Sequence, residues 1–293
     1  MVTTLSERQT AILAGDMQPK FLASINAAGQ PNVVPLLSIV PLEPGRAAFA
    51  EFMIWKTKAN LLETGRTAFL ALDGKLNYVT ATGRFTGFTK AGPVFDAMAI
   101  QSMFRFNPYN GLRAAGTIDI ETVEAEGQIP TLGLVASHLK AGRLAKAAAR
   151  AGTGAGTPAG AGAGTPAGAG ARPAARSAVA GLATSRVMPV QVAEKFSRLK
   201  AIKAIAWPVA GGVKVLPAAG VAPIGRGGLL IADPAVASAV PDGSRVAVSV
   251  ITLDPNAYQV KGTARVWRGA LVVEVDEVYT AAPPVPGRSC AGA

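Results

Sequence analysis

The segment EFMIWKTKANLLETGRTAFLAL, residues 51–72, places two lysines and a tryptophan between two apolar runs. The first run, Phe52 to Trp55, and the run that ends the segment both predict strands. The residues between them, Ala59 to Glu63, suit a short helix. The sequence therefore puts positive charge where a strand is expected to give way to a helix, and the rest of the chain is interpreted around this point.

Composition limits the class of protein. A chain of 293 residues predicts two cores of ordinary size or one large one. Hydrophobic residues make up 49% and charged residues 16%, which is too apolar for a wholly disordered chain. The 29 lysines and arginines exceed the 18 acidic residues and give a net charge of +11. This excess favours an anionic partner but does not by itself choose among phosphate, nucleotide, nucleic acid and membrane surface.

Cysteine content and the first residues indicate the compartment. The single cysteine, Cys290, excludes a disulfide framework and a cysteine-based metal site. The stretch MVTTLSERQT at the start has no basic region followed by an apolar one, and no run approaches the length of a membrane span. We expect a soluble cytoplasmic protein without a membrane partner.

A low-complexity segment divides the chain. Residues 149–181 consist almost entirely of alanine, glycine, threonine and proline, with AGAGTPAG occurring twice. Such a composition offers no large side chain to offset the entropy of ordering, so it predicts a flexible linker. The GTGAG motif inside it has neither a strand before it nor a helix after it, and this excludes a dinucleotide-binding turn.

The two sides of the linker repeat one pattern. Residues 20–50 and 203–232 both read as a strand, a glycine turn, a strand with proline, a Gly-Arg turn and an apolar strand. Further on, Arg66 matches Arg245 and Gly83 matches Gly262, each pair 179 residues apart. This constant spacing predicts an internal duplication.

The predicted organisation follows from the duplication. One β-rich unit spans 1–130, a helical segment and the linker span 131–184, and a second unit spans 185–293. Short strands separated by turns predict a small antiparallel barrel in each unit. The expected fold class is mainly β with short helices (α+β), arranged as two tandem barrels.

Four stretches together resemble a known family, the FMN-binding split barrels related to pyridoxamine 5′-phosphate oxidase. In this family a strand is followed by a basic pair, a short helix, a Gly-Arg turn and a second apolar strand, and a later strand carries an aromatic residue or glutamine before β-branched residues and glycine. The stretches are PNVVPLLSIV (31–40), AFAEFMIWKTKANLLETGRTAFLAL (48–72), NYVTATGRF (77–85) and AYQVKGTARV (257–266).

The resemblance implies a flavin in a groove between two barrels, with Lys58 in the place of the phosphate-binding lysine. Basic and hydroxyl groups at a helix start suit a phosphate dianion. The preceding strand would bond the isoalloxazine edge through its backbone, and Trp55 would wall the site. The implied cofactor-binding residues are Phe52, Met53, Ile54, Trp55, Lys56, Thr57, Lys58, Tyr78 and Arg84.

Two other interpretations of this segment stay open. A Lys-Thr-Lys sequence at a strand end is commonly a solvated turn, and a tryptophan in a strand is commonly part of the core.

The second unit departs from the pattern, because Ala235 to Ser238 stand where the basic turn should lie and Asp233 adds negative charge. We therefore expect one FMN per chain, and either an intrachain pair of barrels or a homodimer as the assembly.

The implied function is an FMN-dependent oxidoreductase acting on a small-molecule redox substrate, with no catalytic side chain required. The alternative is a protein that binds flavin or haem without turnover. The lone His138 makes haem possible, but its position near the linker argues against it as the ligand. Scattered basic residues and 6% aromatic residues do not favour a nucleic-acid partner.

Other polar clusters have simpler explanations. A loop at 105–113 could cover the groove or be a plain turn. The acidic run predicts a solvated strand edge rather than a metal site. Its members are Asp119, Glu121, Glu124 and Glu126.

Overall fold

The computed structural model describes residues 3–101, 111–153, 178–252, 254, 256–282 and 286–292. The predicted linker at 149–181 and the predicted loop at 105–113 fall largely outside these residues. At the margins of the linker, residues up to Thr153 belong to a helix.

The first unit contains seven strands and three helices among its described residues. In chain order they are α1 (Glu7–Ala14), β1 (Lys20–Ile25), β2 (Pro31–Pro35), β3 (Val40–Glu43), β4 (Arg46–Ala50), α2 (Trp55–Thr64), β5 (Arg66–Leu72), β6 (Asn77–Thr89), α3 (Pro93–Ala99) and β7 (Ala115–Gln128).

A long helix, α4 (Thr131–Thr153), leads toward the second unit. The elements of that unit are α5 (Val190–Ser197), β8 (Ile202–Val209), β9 (Gly212–Pro217), β10 (Val221–Ile224), β11 (Gly228–Ile231), α6 (Pro234–Ala239), β12 (Arg245–Ile251), β13 (Ala257–Trp267) and β14 (Ala270–Thr280).

The two sheets have the same topology. The first has the strand order β2-β1-β5-β6-β7-β4-β3, and the second, read from its far edge, has the order β9-β8-β12-β13-β14-β11-β10. Each strand of the first unit therefore has a counterpart in the second, and α2 corresponds to α6 because each connects the fourth strand of its unit to the fifth. All pairings are antiparallel. The predicted fold class, two tandem split barrels with short helices, is confirmed.

The predicted strand from Phe52 to Trp55 is wrong. The chain leaves β4 at Ala50, and Met53 has a left-handed φ of 49°, which extended backbone does not allow. Of the four apolar side chains in this stretch, Ile54 is buried beneath the turn and Trp55 is 54% exposed. A run of four apolar residues cannot be assigned to a strand by composition alone.

The predicted short helix is confirmed and is longer than expected, because α2 already begins at Trp55. It ends at Thr64 and is capped by Gly65, whose φ of 65° suits glycine and whose N–H donates to the Leu61 carbonyl at 2.9 Å. Strand β5 then starts at Arg66, so the Gly-Arg pair is the helix end that the sequence pattern indicated.

The two units share an apolar core. Strands β1, β2 and β5 of the first unit pack against β8, β9 and β12 of the second. Apart from Phe21, the side chains named below are small or medium in size, which lets the sheets approach closely. They include Phe21, Ala23, Val33, Leu70, Ala204, Ala206, Val213, Val215 and Ala247.

Polar contacts surround this core. Lys214 forms a salt bridge with Glu124 at 2.5 Å, and Arg245 Nε donates to Gln30 Oε1 at 3.1 Å. The buried Gln259 side chain donates to the Val33 carbonyl across the same contact. The second unit therefore has a fixed register on the first.

Helix α4 belongs with the second unit. Its buried face carries Ala141, Ala145 and Ala148, which pack toward β10 and β11. Within the described residues, no helix combines the length and the apolar character needed to cross a membrane.

Leu70 tests the shared core. It is fully buried in β5, so Leu70→Ala should lower the free energy of unfolding by about 2–5 kcal/mol, through lost burial and the cavity left behind. Guanidinium denaturation followed by circular dichroism measures this. The control Leu62→Ala, at a position 64% exposed on α2, should change stability by less than about 0.5 kcal/mol. Equal effects of the two variants would contradict the assignment of the core.

Candidate functional site

A cleft of about 290 Å³ lies between the two units. The first unit contributes the end of β2, the turn after β4 and the start of α2. The second contributes the ends of β12 and β14, part of β13 and a C-terminal segment that folds back beside β14. Its lining is largely apolar and includes Val34, Pro35, Leu36, Leu37, Ile251, Ala257, Ala281, Ala282, Pro286 and Gly287.

The N-terminus of α2 opens into this cleft. Ile54 occupies the N-cap position and supplies no side-chain hydrogen bond to the helix. The first turn closes when the N–H of Lys58 donates to the Ile54 carbonyl at 2.7 Å. The N–H groups of Trp55, Lys56 and Thr57 come before that bond and have no acceptor within the helix. Three backbone donors and the positive end of the helix dipole therefore meet at the cleft.

Thr57 and Lys56 add side-chain donors at the same place. The Thr57 hydroxyl is buried and accepts a hydrogen bond from Asn32 Nδ2 at 2.9 Å. Its own proton remains available to donate. The Lys56 ammonium lies 4.2 Å from the centroid of the Tyr279 ring on the opposite wall. Lys56 thus bridges the two units across the cleft.

Trp55 stands at the rim. Its ring is 54% exposed and lines the cleft, which excludes a simple core role. The Arg113 guanidinium lies 4.7 Å from the ring centroid. An arginine held over an indole face restrains the ring and adds positive charge to the cleft entrance.

The six residues from Phe52 to Thr57 all line the cleft. The other three predicted site residues do not. Lys58 forms a 2.5 Å salt bridge with the buried Glu51, so its charge is already matched by a carboxylate. Lys56, not Lys58, is the lysine that faces the cleft.

Tyr78 and Arg84 lie elsewhere on β6. Arg84 is exposed and forms a 3.3 Å salt bridge with Glu121 on β7. Tyr78 lies in a different cleft between the units, where burial and the charge of Asp233 raise its pKa. The structure therefore brings neither residue to the cleft at α2.

The second unit contributes polar residues that sequence reasoning missed. Gln259 and Lys261 on β13 lie opposite Tyr279 and Glu277 on β14, and all four belong to neighbouring register pairs. Gln259 and Tyr279 line the cleft. The stretch AYQVKGTARV had carried part of the family resemblance, but only the packing of the units shows that it faces α2.

These residues form an ionic cluster beside the cleft. Burial, helped by the nearby charge of Lys56, lowers the pKa of Lys261 to about 7. Burial and a 2.5 Å hydrogen bond to Glu277 raise the pKa of Tyr279 to about 12. Burial alone would raise the pKa of Glu277, but the Tyr279 bond and the charges of Lys261 and Arg245 lower it overall.

The equivalent helix of the second unit is closed to an external anion. Asp233 caps α6, where one carboxylate oxygen accepts from the N–H of Ala235 at 3.0 Å. The other oxygen accepts from the N–H of Ala219 at 3.1 Å. The protein's own carboxylate thus caps the start of α6 through the N–H of Ala235 and also binds a loop N–H, whereas α2 has no side-chain cap.

The cleft next to α6 is also altered. It is lined by Tyr78 and Asp233 together with Pro130, Gly133 and Ser137, which lie at the start of α4. Helix α4 therefore occupies part of the space next to α6. The residues that line the cleft at α2 include none from α4. Of these two clefts, the one at α2 pairs an uncapped helix start with a basic side chain.

His138 lies on α4, away from the α2 cleft, and burial together with the charge of Lys203 lowers its pKa. In the described part of the chain, no group of three or more histidine, cysteine, aspartate or glutamate residues could hold a metal ion.

Comparison with known proteins gives matches to solved structures only. No family model and no curated protein matches the chain. An FMN-binding protein from Syntrophomonas wolfei is 17% identical, with a TM-score of 0.37, over 40% of this chain and 83% of that one. HupZ from Group A Streptococcus is 19% identical, with a TM-score of 0.34, over 40% of this chain and 90% of that one. The haem storage protein HutZ from Vibrio cholerae is 13% identical, with a TM-score of 0.31, over 42% and 94%.

Asp233 provides a test of the capped helix. Asp233→Ala should lower the free energy of unfolding by about 0.5–2 kcal/mol, because two backbone donors lose their acceptor. Asp233→Asn keeps an N-cap acceptor and should lose less. Thermal or guanidinium denaturation of both variants measures the difference. If the two variants lowered the free energy of unfolding equally, the Asp233 side chain would not be acting as a helix cap.

Proposed function

We propose that the chain binds one FMN in the cleft between its two units and acts as a flavin-dependent oxidoreductase on a small-molecule substrate. The observation that carries this proposal is the uncapped N-terminus of α2, which opens into a cleft shared by both units. The corresponding helix α6 is capped by Asp233, so the proposal is one flavin per chain.

The residues at α2 fit the phosphate end of this cofactor. A phosphate dianion needs several converging donors and positive charge. Within the described residues, the N–H groups of Trp55, Lys56 and Thr57 have no acceptor in α2, and the Thr57 hydroxyl and the Lys56 ammonium belong to the same helical turn. Lys58 has no place in this arrangement, because Glu51 already holds its ammonium.

The remainder of the cleft fits a flat, largely apolar ring system. Aliphatic side chains and prolines from both units form its walls, and Trp55 stands at the rim. When bound, the flavin would supply the hydride or electron transfer chemistry. The protein's part is to hold the ring, limit the access of water and present backbone groups of Phe52, Met53 and Ile54 along its edge.

A second candidate function is binding of flavin or haem without turnover. Haem held by histidine is disfavoured in this cleft, because the only histidine of the chain is His138 on α4. Binding of flavin without turnover uses the same geometry as the oxidoreductase, so measured turnover separates the two.

The absorption spectrum of the freshly purified full chain tests the proposal. We expect flavin bands near those of free FMN, release of FMN on denaturation, and bleaching by a reductant followed by recovery with an oxidant. A purified chain that is colourless and also takes up no added FMN would overturn the proposal. A haem spectrum would support the second candidate instead.

Lys56 tests the position of the phosphate. Lys56→Met should weaken FMN binding by about tenfold or more, because a charge-assisted hydrogen bond is lost. Binding is measured by quenching of flavin fluorescence. The matched control is the double variant Glu51→Gln, Lys58→Met, which removes the neighbouring ion pair without leaving a buried carboxylate unpaired. If the control variant weakened FMN binding as much as Lys56→Met does, the assignment of the phosphate to Lys56 rather than Lys58 would be wrong.

A further inference from the structure

A second cavity between the units, of about 180 Å³, lies where β6 of the first unit meets β9 of the second. Strands β5, β6 and β7 form one side of this β6–β9 cavity, and β8, β9 and the end of α6 form the other. Its walls are mainly apolar and include Ala68, Ala81, Trp207, Val215 and Leu216. None of the residues that line it also lines the cleft at α2.

The duplication identifies the counterpart of this cavity at the junction of β13 with β2. Thr80 lies opposite the fifth residue of β5, and Gln259 lies opposite the fifth residue of β12, so these two residues are equivalent. Val33 and Val215 are equivalent too, because each stands two residues before the proline that ends its strand. At the first junction the Gln259 amide donates to the Val33 carbonyl. The shorter Thr80 leaves the β6–β9 cavity at the second.

The Thr80 side chain leaves a polar group without a partner in the cavity. It is 2% exposed, and among the described residues its hydroxyl has no hydrogen-bond partner. A hydroxyl can both donate and accept. A buried polar group without a partner costs free energy, so a ligand or water that bonds to it is favoured.

The backbone of Val215 adds a donor and an acceptor. The N–H of Ala218 donates to the Lys203 carbonyl, and hydrogen-bonded pairs alternate along an antiparallel ladder. Val215 lies three positions from Ala218 and therefore belongs to a pair without ladder bonds. Its N–H and C=O point away from β8, across the free edge of β9. Neither group has a partner in the part of the chain that the structure describes.

These groups define the chemistry of a ligand. A primary carboxamide carries an N–H donor beside a carbonyl acceptor, which complements the N–H and C=O of Val215. The side chain of Gln259 shows that such a group fits at the equivalent place. The charged side chains on the cavity wall, Lys214 and Glu124, pair with each other at 2.5 Å. A charged ligand would therefore have no free counterion there, and a neutral one is favoured.

We propose that the β6–β9 cavity binds a small, flat, neutral molecule that carries a primary carboxamide. A cavity of about 150 Å³ accommodates benzene, so this cavity has room for one six-membered ring against Trp207 and Leu216. The inference does not depend on flavin binding, because the two sites share no lining residue. Since both units form the walls, the ligand should stabilise their packing.

Benzamide is the probe, and the full chain is used. We expect titration calorimetry to give one benzamide per chain with a dissociation constant of about 1 mM or lower, and we expect a higher melting temperature. Benzoate has the same ring but no N–H and a net charge, so it should bind at least about tenfold more weakly. Failure of benzamide to bind would mean that the cavity holds water only, and equal binding of benzoate would exclude the carboxamide. Either result would overturn the inference.

Two variants place the probe in the cavity. Thr80→Gln copies the side chain of Gln259, so it should fill the cavity and weaken benzamide binding by about tenfold or more. Thr80→Val keeps the shape and removes the hydroxyl, and it should weaken binding by about threefold or more. It serves as the test if the glutamine variant does not fold. Neither variant should alter FMN binding.

The matched control is Thr86→Gln, at an exposed position of β6 that does not line the cavity. It should bind benzamide as the unaltered chain does. If the Thr80 variants also did so, the probe would lie elsewhere and the inference would be wrong. A chain that binds benzamide but no flavin would overturn the proposed function and leave this inference standing.

Discussion

The packing of one sheet against the other is the constraint on which the rest of the structure depends. Small side chains such as Ala23 and Ala204 let β1, β2 and β5 approach β8, β9 and β12 closely. Neither unit has a complete cleft of its own. The α2 end of the cleft comes from the first unit, and the wall that carries Gln259 and Tyr279 comes from the second. The contact of Lys56 with the Tyr279 ring across the cleft is therefore a consequence of how the apolar faces meet.

The duplication explains why two similar units differ in chemistry. The strand order is the same in both, which preserves a helix between the fourth and fifth strands of each. At α2 no side chain caps the helix start and Lys56 stands beside it, whereas at α6 Asp233 caps the helix through the N–H of Ala235. Because a fixed carboxylate and a bound phosphate satisfy the same backbone groups, one substitution can convert a binding site into a stable helix cap. The units share one strand order and differ at the start of this helix.

The sequence predicted the fold well because the features that define it are local. The sequence itself shows the Gly-Arg turn at Gly65 and the short helix before it. It also shows that Arg66 and Arg245 are separated by the same 179 residues as Gly83 and Gly262. The turn at Met53 could not, because four apolar residues suit either a strand or a buried turn. The choice between Lys56 and Lys58 was also out of reach. It depends on Glu51, whose contact with Lys58 forms only once the chain turns there. That Gln259 and Tyr279 line the cleft could not be predicted either, because it depends on which strands face α2, and this is a property of the packed pair.

The covalent connection between the two barrels has one more consequence. When a groove is built from two separate subunits, its existence depends on the concentration of the protein, since dilution separates the halves. Here one polypeptide holds both halves together, and the encounter between them is intramolecular at any dilution. The groove should thus persist in a single isolated molecule, and its capacity to hold a ligand should not vary with the abundance of the protein.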